Sequence, residues 1–435
     1  MVYAQPSELH LGRVVNPRTD GTVEWFTNGA LAINDRGQIV AVGHRDDLQA
    51  QYGEAACIDH GTGWIVPGFV DTHVHLSQIF GRARVRGELL RWLDDAIFPV
   101  EQAFGDPDHA ELAARTFVLE CARSGITSAN IFLTSHPEAS ERCFKVVADS
   151  GLRAIMGMVQ MDQDAPADLC LDVASAITAT TELAARWHGH DSDRIRYALM
   201  PRFALSCSKA MLQELGRLQQ QMPDLHMHTH VAENETECKE VQARFPEAPD
   251  YLSVYADHGL VHKGTLLAHG IHLADHNLKK IQTLGAGVSH CPSSNMFLKS
   301  GVFPVERYLQ FKTAFGFGTD VGAGPELCPF AVMRSAYNIQ PDYFWRPADL
   351  FWRATLGGAQ ALGLDETIGC LSAGKDADFV VLQPDRLGVH APSIPTGDPS
   401  PEELDDLLSP LIFLGDDRLV EHVRVRGREL AYPGG

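Results

Sequence analysis

From Phe69 to about Leu362, short apolar runs alternate with stretches of helical pattern. The runs are the one opening at Phe69, then Ile126–Phe132, Arg153–Met158, Ile195–Met200, Leu225–His230, Thr265–His269, Gly287–His290 and Thr313–Asp320. Continuous apolar character over a few residues, bounded by turn formers, predicts strands buried on both faces, and the intervening amphipathic stretches predict helices covering them. Eight such strand–helix units match a (β/α)8 TIM barrel. The rival, a doubly wound open sheet, lacks support because no glycine-rich phosphate fingerprint follows the first strand.

The flanks read differently. Ala30–Ile33, a turn at Asn34–Gly37 and Gln38–Val42 predict a small β unit, and strand character returns at Asp378–Leu382 and Val420–Val425. Both termini are therefore expected to share one small β-sandwich-like domain: residues 1–67 and 368–435 around a barrel of 68–367. Between the returning strands, Pro392 to Asp406 is rich in Pro, Ser, Asp and Glu and predicts a loop. No internal repeat or low-complexity tract interrupts this plan.

Composition narrows the function classes. A chain of 435 residues with 45% hydrophobic content can bury a large core. Its net charge of −20 repels phosphate backbones, and no dense Lys/Arg cluster offsets it, so neither nucleic acid nor an anionic membrane is an expected partner. Nine cysteines without CxxC pairs fit a reducing cytoplasm, and no stretch of about 20 apolar residues predicts a membrane span. An N-terminus with no basic region leading into an apolar segment predicts an unexported protein.

Candidate chemistry starts at His73-Val74-His75. Side chains two apart on a strand share a side, so two imidazoles leave the first strand together, half of a metal site. Polar residues then recur at later strand ends: Gln78 after the first, Arg202 after the fourth, His230 and Glu233 after the fifth, His269, His290 and Asp320 after the sixth, seventh and eighth. Each has a structural explanation alone: a core histidine, a turn-forming aspartate, a helix-capping acid. Together they cluster on the strand C-terminal face, where barrel enzymes carry their sites.

Asp71-Thr72-His73-Val74-His75-Leu76-Ser77-Gln78, His230 with Glu233 three residues on, His269 and Asp320 resemble the metal-dependent amidohydrolase superfamily. Leu90-Arg91-Trp92-Leu93 running to Phe98-Pro99, Pro201-Arg202-Phe203, His228–Glu235, Ser289–Asn295, Gly318–Gly322 and Leu414–Arg418 narrow the resemblance to its barrel-type guanine deaminases. Spacing alone does not choose between His228 and His230 as the third imidazole; the resemblance selects His230.

A site of His73, His75, His230 and Asp320 has the nitrogen/oxygen character of zinc, with ferrous iron also suited, and an open position for water. No lysine stands at a strand end to bridge a second ion, so one divalent metal per chain is expected. A metal-activated water attacking an amidine-like ring carbon, with Glu233 as proton shuttle and His269 and Asp320 as further catalytic residues, deaminates guanine to xanthine and ammonia. Gln78, Arg202 and Phe203 are the expected substrate contacts, the first two as hydrogen-bond donors. The expected partner is a small heterocycle, and the expected assembly a homodimer. Pro325-Glu326-Leu327-Cys328-Pro329-Phe330 departs from the family pattern and is expected to reshape one pocket wall, leaving another purine, a pterin or a triazine as alternative substrates. A non-catalytic scaffold of the same fold is the other alternative. No role is assigned to His290 or Asn295.

Overall fold

A computed structural model of the chain describes residues 5–430. Eight parallel strands form the central sheet in chain order: Phe69–His75, Ile126–Phe132, Arg153–Gly157, Ile195–Pro201, His226–Val231, Thr265–His269, Gly287–His290 and Phe315–Phe317, with the short Val159–Gln160 paired to Ile195–Pro201. All residues of the first two are buried, as expected for strands with barrel core on one face and helices on the other. The barrel closes just past the eighth strand, where the Asp320 N–H donates to the His73 carbonyl (2.9 Å) and the His75 N–H to the Val321 carbonyl (3.0 Å). The eight strands are those the apolar runs predict.

Local chemistry sets the strand entries. Asp106 caps Pro107–Ser124 by accepting from the Asp108 N–H, and Gly125, at φ +77°, ends that helix one residue before the second strand. Gly68 precedes the first strand because a Cβ there would lie 1.9 Å from Thr127 Oγ1.

Both ends of the chain combine in a second sheet of seven strands, ordered Arg428–Glu429, Val420–Val425, Phe379–Leu382, Ala56–Pro67, Glu8–Pro17, Val23–Ile33 and Ile39–His44. Glu8–Pro17 and Ala56–Pro67 run parallel; the other neighbours are antiparallel. The segment predicted as loop up to Asp406 turns helical earlier, at Pro401–Leu414. The reason is local: Ser400 and Glu403 form a reciprocal capping box around a proline at the first helical turn.

The two sheets are joined by a buried ionic cluster. Arg153, opening the third barrel strand, donates through Nε to Asp378 Oδ2 (2.7 Å) and through Nη2 to Asp376 Oδ2 (2.6 Å), immediately before Phe379–Leu382. Arg426 also bonds Asp376 (2.9 Å). Removing one member of such a cluster strands the others in a low-dielectric interior. Arg153→Met is therefore expected to destabilise the fold by about 3–5 kcal/mol, read as a lowered urea-unfolding midpoint; an unchanged midpoint would show that the two sheets do not depend on this cluster.

Candidate active site

His73 and His75 leave the first strand towards the axis, His230 leaves the fifth, and Asp320 follows the eighth. Their ligand atoms all lie within 4.8 Å of one another and all four residues are buried. Chain direction is turned sharply at these strand ends: Ala232, His269 and Asp320 have φ of 48°, 70° and 50°. Non-glycine residues in the left-handed region cost on the order of 1–3 kcal/mol each and persist where surrounding structure enforces them.

The four residues have the donor set of a divalent metal. His230 Nδ1 lies 2.6 Å from the Arg202 carbonyl oxygen and so carries the proton, which leaves a bare lone pair on Nε2. That Nε2 is 3.1 Å from His75 Nε2, and His73 Nε2 is 3.1 Å from Asp320 Oδ1 without hydrogen-bonding geometry. Burial, above all, lowers the pKa of His73, His75 (to about 4) and His230, so the imidazoles are neutral. Burial would raise Asp320, but the adjacent histidines, His73 first, outweigh it and hold the carboxylate well below its usual range. Lone pairs converging in a dry site without protons between them call for a cation.

A second grouping, His73, His269, Cys291 and Asp320, also converges within 4.8 Å. Burial pushes the Cys291 thiol well above its ordinary pKa, and its sulfur sits 3.5 Å from Ser289 Oγ, so it fits a metal poorly.

Around this core lie the other sequence-derived residues. Glu233 Oε2 is 3.3 Å from His269 Nε2, and Glu233 Oε1 accepts from Ser300 Oγ (3.0 Å). Burial first, then the Asp320 charge, raises Glu233 to about 8. His269 is oriented by Asn295, whose Oδ1 lies 3.1 Å from its Nδ1. A cavity opens here, lined by His75, Gln78, Arg202, Phe203, His230, Glu233 and Asp320, with Leu89, Trp92, Leu93 and Leu298 among its apolar walls. His228 lies outside it, with Nε2 2.8 Å from His73 Nδ1, where it orients the His73 ring.

One position the sequence left without a role is placed, and one sequence expectation is corrected. His290 does not join the cluster: it is fully buried and stacks on Phe303 at 4.3 Å, a core histidine. Pro325–Phe330 does not wall the cavity; Leu327 and Phe330 are buried in the core, Phe330 packs against Phe69, and Pro329 opens the helix Pro329–Ile339. Apolar side chains pull this segment inward, and only Ala323 of the preceding turn reaches the pocket.

Sequence reasoning missed Glu101 and Glu237. Glu101, on Phe98–Gln102, pairs with Arg202 and accepts from Gln78 Nε2 (2.9 Å). Its only signal was the i, i+3 spacing from Phe98. Glu237 Oε2 accepts from the Glu233 (2.9 Å) and Asn234 (3.0 Å) N–H groups, a capping box legible as Asn234 with an acid three residues on.

Residues 64–430 match the Amidohydrolase family. The chain is 34% identical to guanine deaminase of Escherichia coli (strain K12) over 417 residues, covering 95% of this chain and 93% of the relative. It is 30% identical to guanine deaminase of Homo sapiens over 441 residues, 98% and 96% of the two chains. Among solved structures, E. coli guanine deaminase superposes with a TM-score of 0.92 at 31% identity, covering 98% of this chain and all of the other. Guanine deaminase from C. acetobutylicum with guanine in its active site gives 0.90 at 27%, with the same coverage. The chain belongs to the amidohydrolase family and is a hydrolase acting on C–N bonds.

Proposed function

We propose that this enzyme hydrolyses guanine to xanthine and ammonia with one divalent metal. The observation that carries this reading is a single cavity holding a converging His/Asp donor set, a buried glutamate and a pair of polar donors, in a chain so similar to guanine deaminases.

His73, His75, His230 and Asp320 would hold the cation, zinc by preference and ferrous iron as the alternative. When bound, such a cation acidifies water and so supplies the nucleophile at neutral pH. Glu233, protonated at neutral pH by its burial, delivers a proton to the ring nitrogen beside the attacked carbon. As the water oxygen bonds to that carbon, Asp320 takes up one of its protons, and His269, 3.6 Å from Asp320 and 3.3 Å from Glu233, relays it to the now-ionised Glu233. Glu233 passes that proton to the amine as the carbon–nitrogen bond breaks and ammonia departs, and the proton of the hydroxyl left on the carbon returns to Glu233 as the carbonyl forms.

Arg202 and Gln78 read the far edge of the base. Guanine presents two adjacent acceptors there, O6 and N7, whereas adenine carries an amino group in place of the carbonyl. Donor facing donor would leave buried groups unpaired, a mismatch that discriminates by about 10⁴-fold in hydrogen-bonding sites. Trp92, Leu93 and Phe203 supply the flat apolar walls.

Three outcomes are expected. Elemental analysis should find close to one zinc or iron per chain, and His75→Ala should lose metal and activity together; activity in a stripped protein would contradict the metal's role. Glu233→Gln should keep its metal but slow turnover by roughly 10²–10⁴-fold; near-normal turnover would move the proton carrier to Asp320 or His269. In an ammonia-release assay guanine should be consumed and adenine not, and Arg202→Ala should lower kcat/KM for guanine with metal content intact. Equal rates on both purines would instead favour a pterin, triazine or other aminated heterocycle.

A further inference from the structure

Glu101 is a buried charge for which the chemistry above has no use. It is 4% exposed, and its two oxygens divide between the two residues assigned to read the substrate. Oε2 takes Arg202 Nη1; Oε1 accepts from Gln78 Nε2 (2.9 Å), with Ser77 Oγ at 3.5 Å. Gln78 Oε1 in turn accepts the Gly322 N–H (2.9 Å), so its amide has a single orientation, oxygen towards Gly322 and NH2 towards Glu101. One N–H of Gln78 is left for the cavity. Among the described residues the guanidinium meets no other oxygen acceptor, and its face lies over Phe98, 5.2 Å from the ring centroid. Phe98 and Glu101 occupy the same face of one short helix, which therefore clamps Arg202 by stacking and by charge.

The charge balance follows from this arrangement. A lone arginine in a cavity walled by Leu89, Trp92 and Leu93 would draw in an anion, because the guanidinium is always charged and bonds carboxylates two at a time. Glu101 occupies that position already. What Arg202 and Gln78 present to a ligand is a pair of fixed donors with no net charge behind them, complementary to a neutral carbonyl edge.

Resting on the proposed reading of Arg202 and Gln78 as substrate donors, we infer that Glu101 is a positioning and specificity-determining residue. It selects neutral, carbonyl-bearing heterocycles and turns away those carrying a carboxylate at the same place.

The test is calorimetric titration of the metal-loaded enzyme with two purines that lack the departing amine. Hypoxanthine keeps the neutral carbonyl of guanine; purine-6-carboxylate puts an anion there. The parent enzyme should bind hypoxanthine more tightly. Glu101→Gln, with metal content unchanged, should weaken hypoxanthine by roughly tenfold, the scale of a lost charge-assisted bond, while purine-6-carboxylate binds as well as or better than to the parent. A parallel loss for both ligands, or no change for either, would overturn the inference by reducing Glu101 to a structural or neutral role. Should Glu101→Gln fail to fold, Glu101→Asp retains the charge but is too short to reach both partners. It should lose hypoxanthine affinity yet still disfavour the carboxylate, and parent-like hypoxanthine binding would overturn the inference. Neither titration requires turnover, so failure of guanine deamination in the parent enzyme registers separately, in the ammonia assay.

Discussion

His73, His75 and Asp320 come together because the first barrel strand is bonded to the chain leaving the last. Two main-chain hydrogen bonds make this seam, and the Asp71 carboxylate reinforces it. Asp71 Oδ1 accepts the N–H groups of Thr319 (3.0 Å) and His73 (3.2 Å), and Oδ2 accepts from Thr319 Oγ1 (2.6 Å). Contact is close enough that a Cβ on Gly318 would lie 2.9 Å from His73 Cβ. Residues nearly 250 positions apart in the chain (|i−j| of 248 for Asp71 and Thr319) thus acquire fixed relative positions. The metal donor set, the orientation of Glu233 beside it and the cavity above all presuppose that the barrel has closed in this register.

The site's buried acids are kept in different states by their surroundings, and this division gives each a different task. At Asp320 the adjacent histidines, His73 first, outweigh burial and keep the carboxylate ionised. Glu233, buried and facing Asp320, is raised to about 8, which suits the proton-delivering role proposed for it. Glu101 sits against Arg202, and the two cancel. Glu237 accepts from the Tyr251 hydroxyl (2.5 Å) and from two main-chain N–H groups, which anchors the turn bearing Glu233. A chain of net charge −20 therefore builds its reactive centre from acids whose protonation is set locally rather than by the overall field.

Much of this was legible in the sequence because buried parallel strands advertise themselves as apolar runs and because a histidine pair on such a strand has only one side to share. The eight strands, the placement of polar residues at their C-terminal ends and the return of strand character near the C-terminus all follow from that periodicity. Glu101 was hidden because it lies on a short helix between strands, where no strand period announces a direction; its importance arises from contacts 23 and 101 residues away, with Gln78 and Arg202. His290 had no role legible in the sequence, since a strand-end position does not determine whether a side chain turns to the cavity or to Phe303. Pro325–Phe330 looked like a pocket wall from its prolines, yet Leu327 and Phe330 carry it into the core. The helix at Pro401–Leu414 was obscured by acidic and proline-rich composition, although Ser400, Pro401 and Glu403 together form a helix start.

X-ray absorption at the metal edge of the purified enzyme tests the central assignment most directly, because it reads ligand type and ion count without reference to activity. Ligation by His73, His75, His230 and Asp320 is expected to give only nitrogen and oxygen neighbours at about 2.0–2.2 Å, with multiple scattering from imidazole rings. A sulfur neighbour at about 2.3 Å would place the ion on Cys291 instead, and a second metal at about 3.5–4 Å would contradict a single-ion centre.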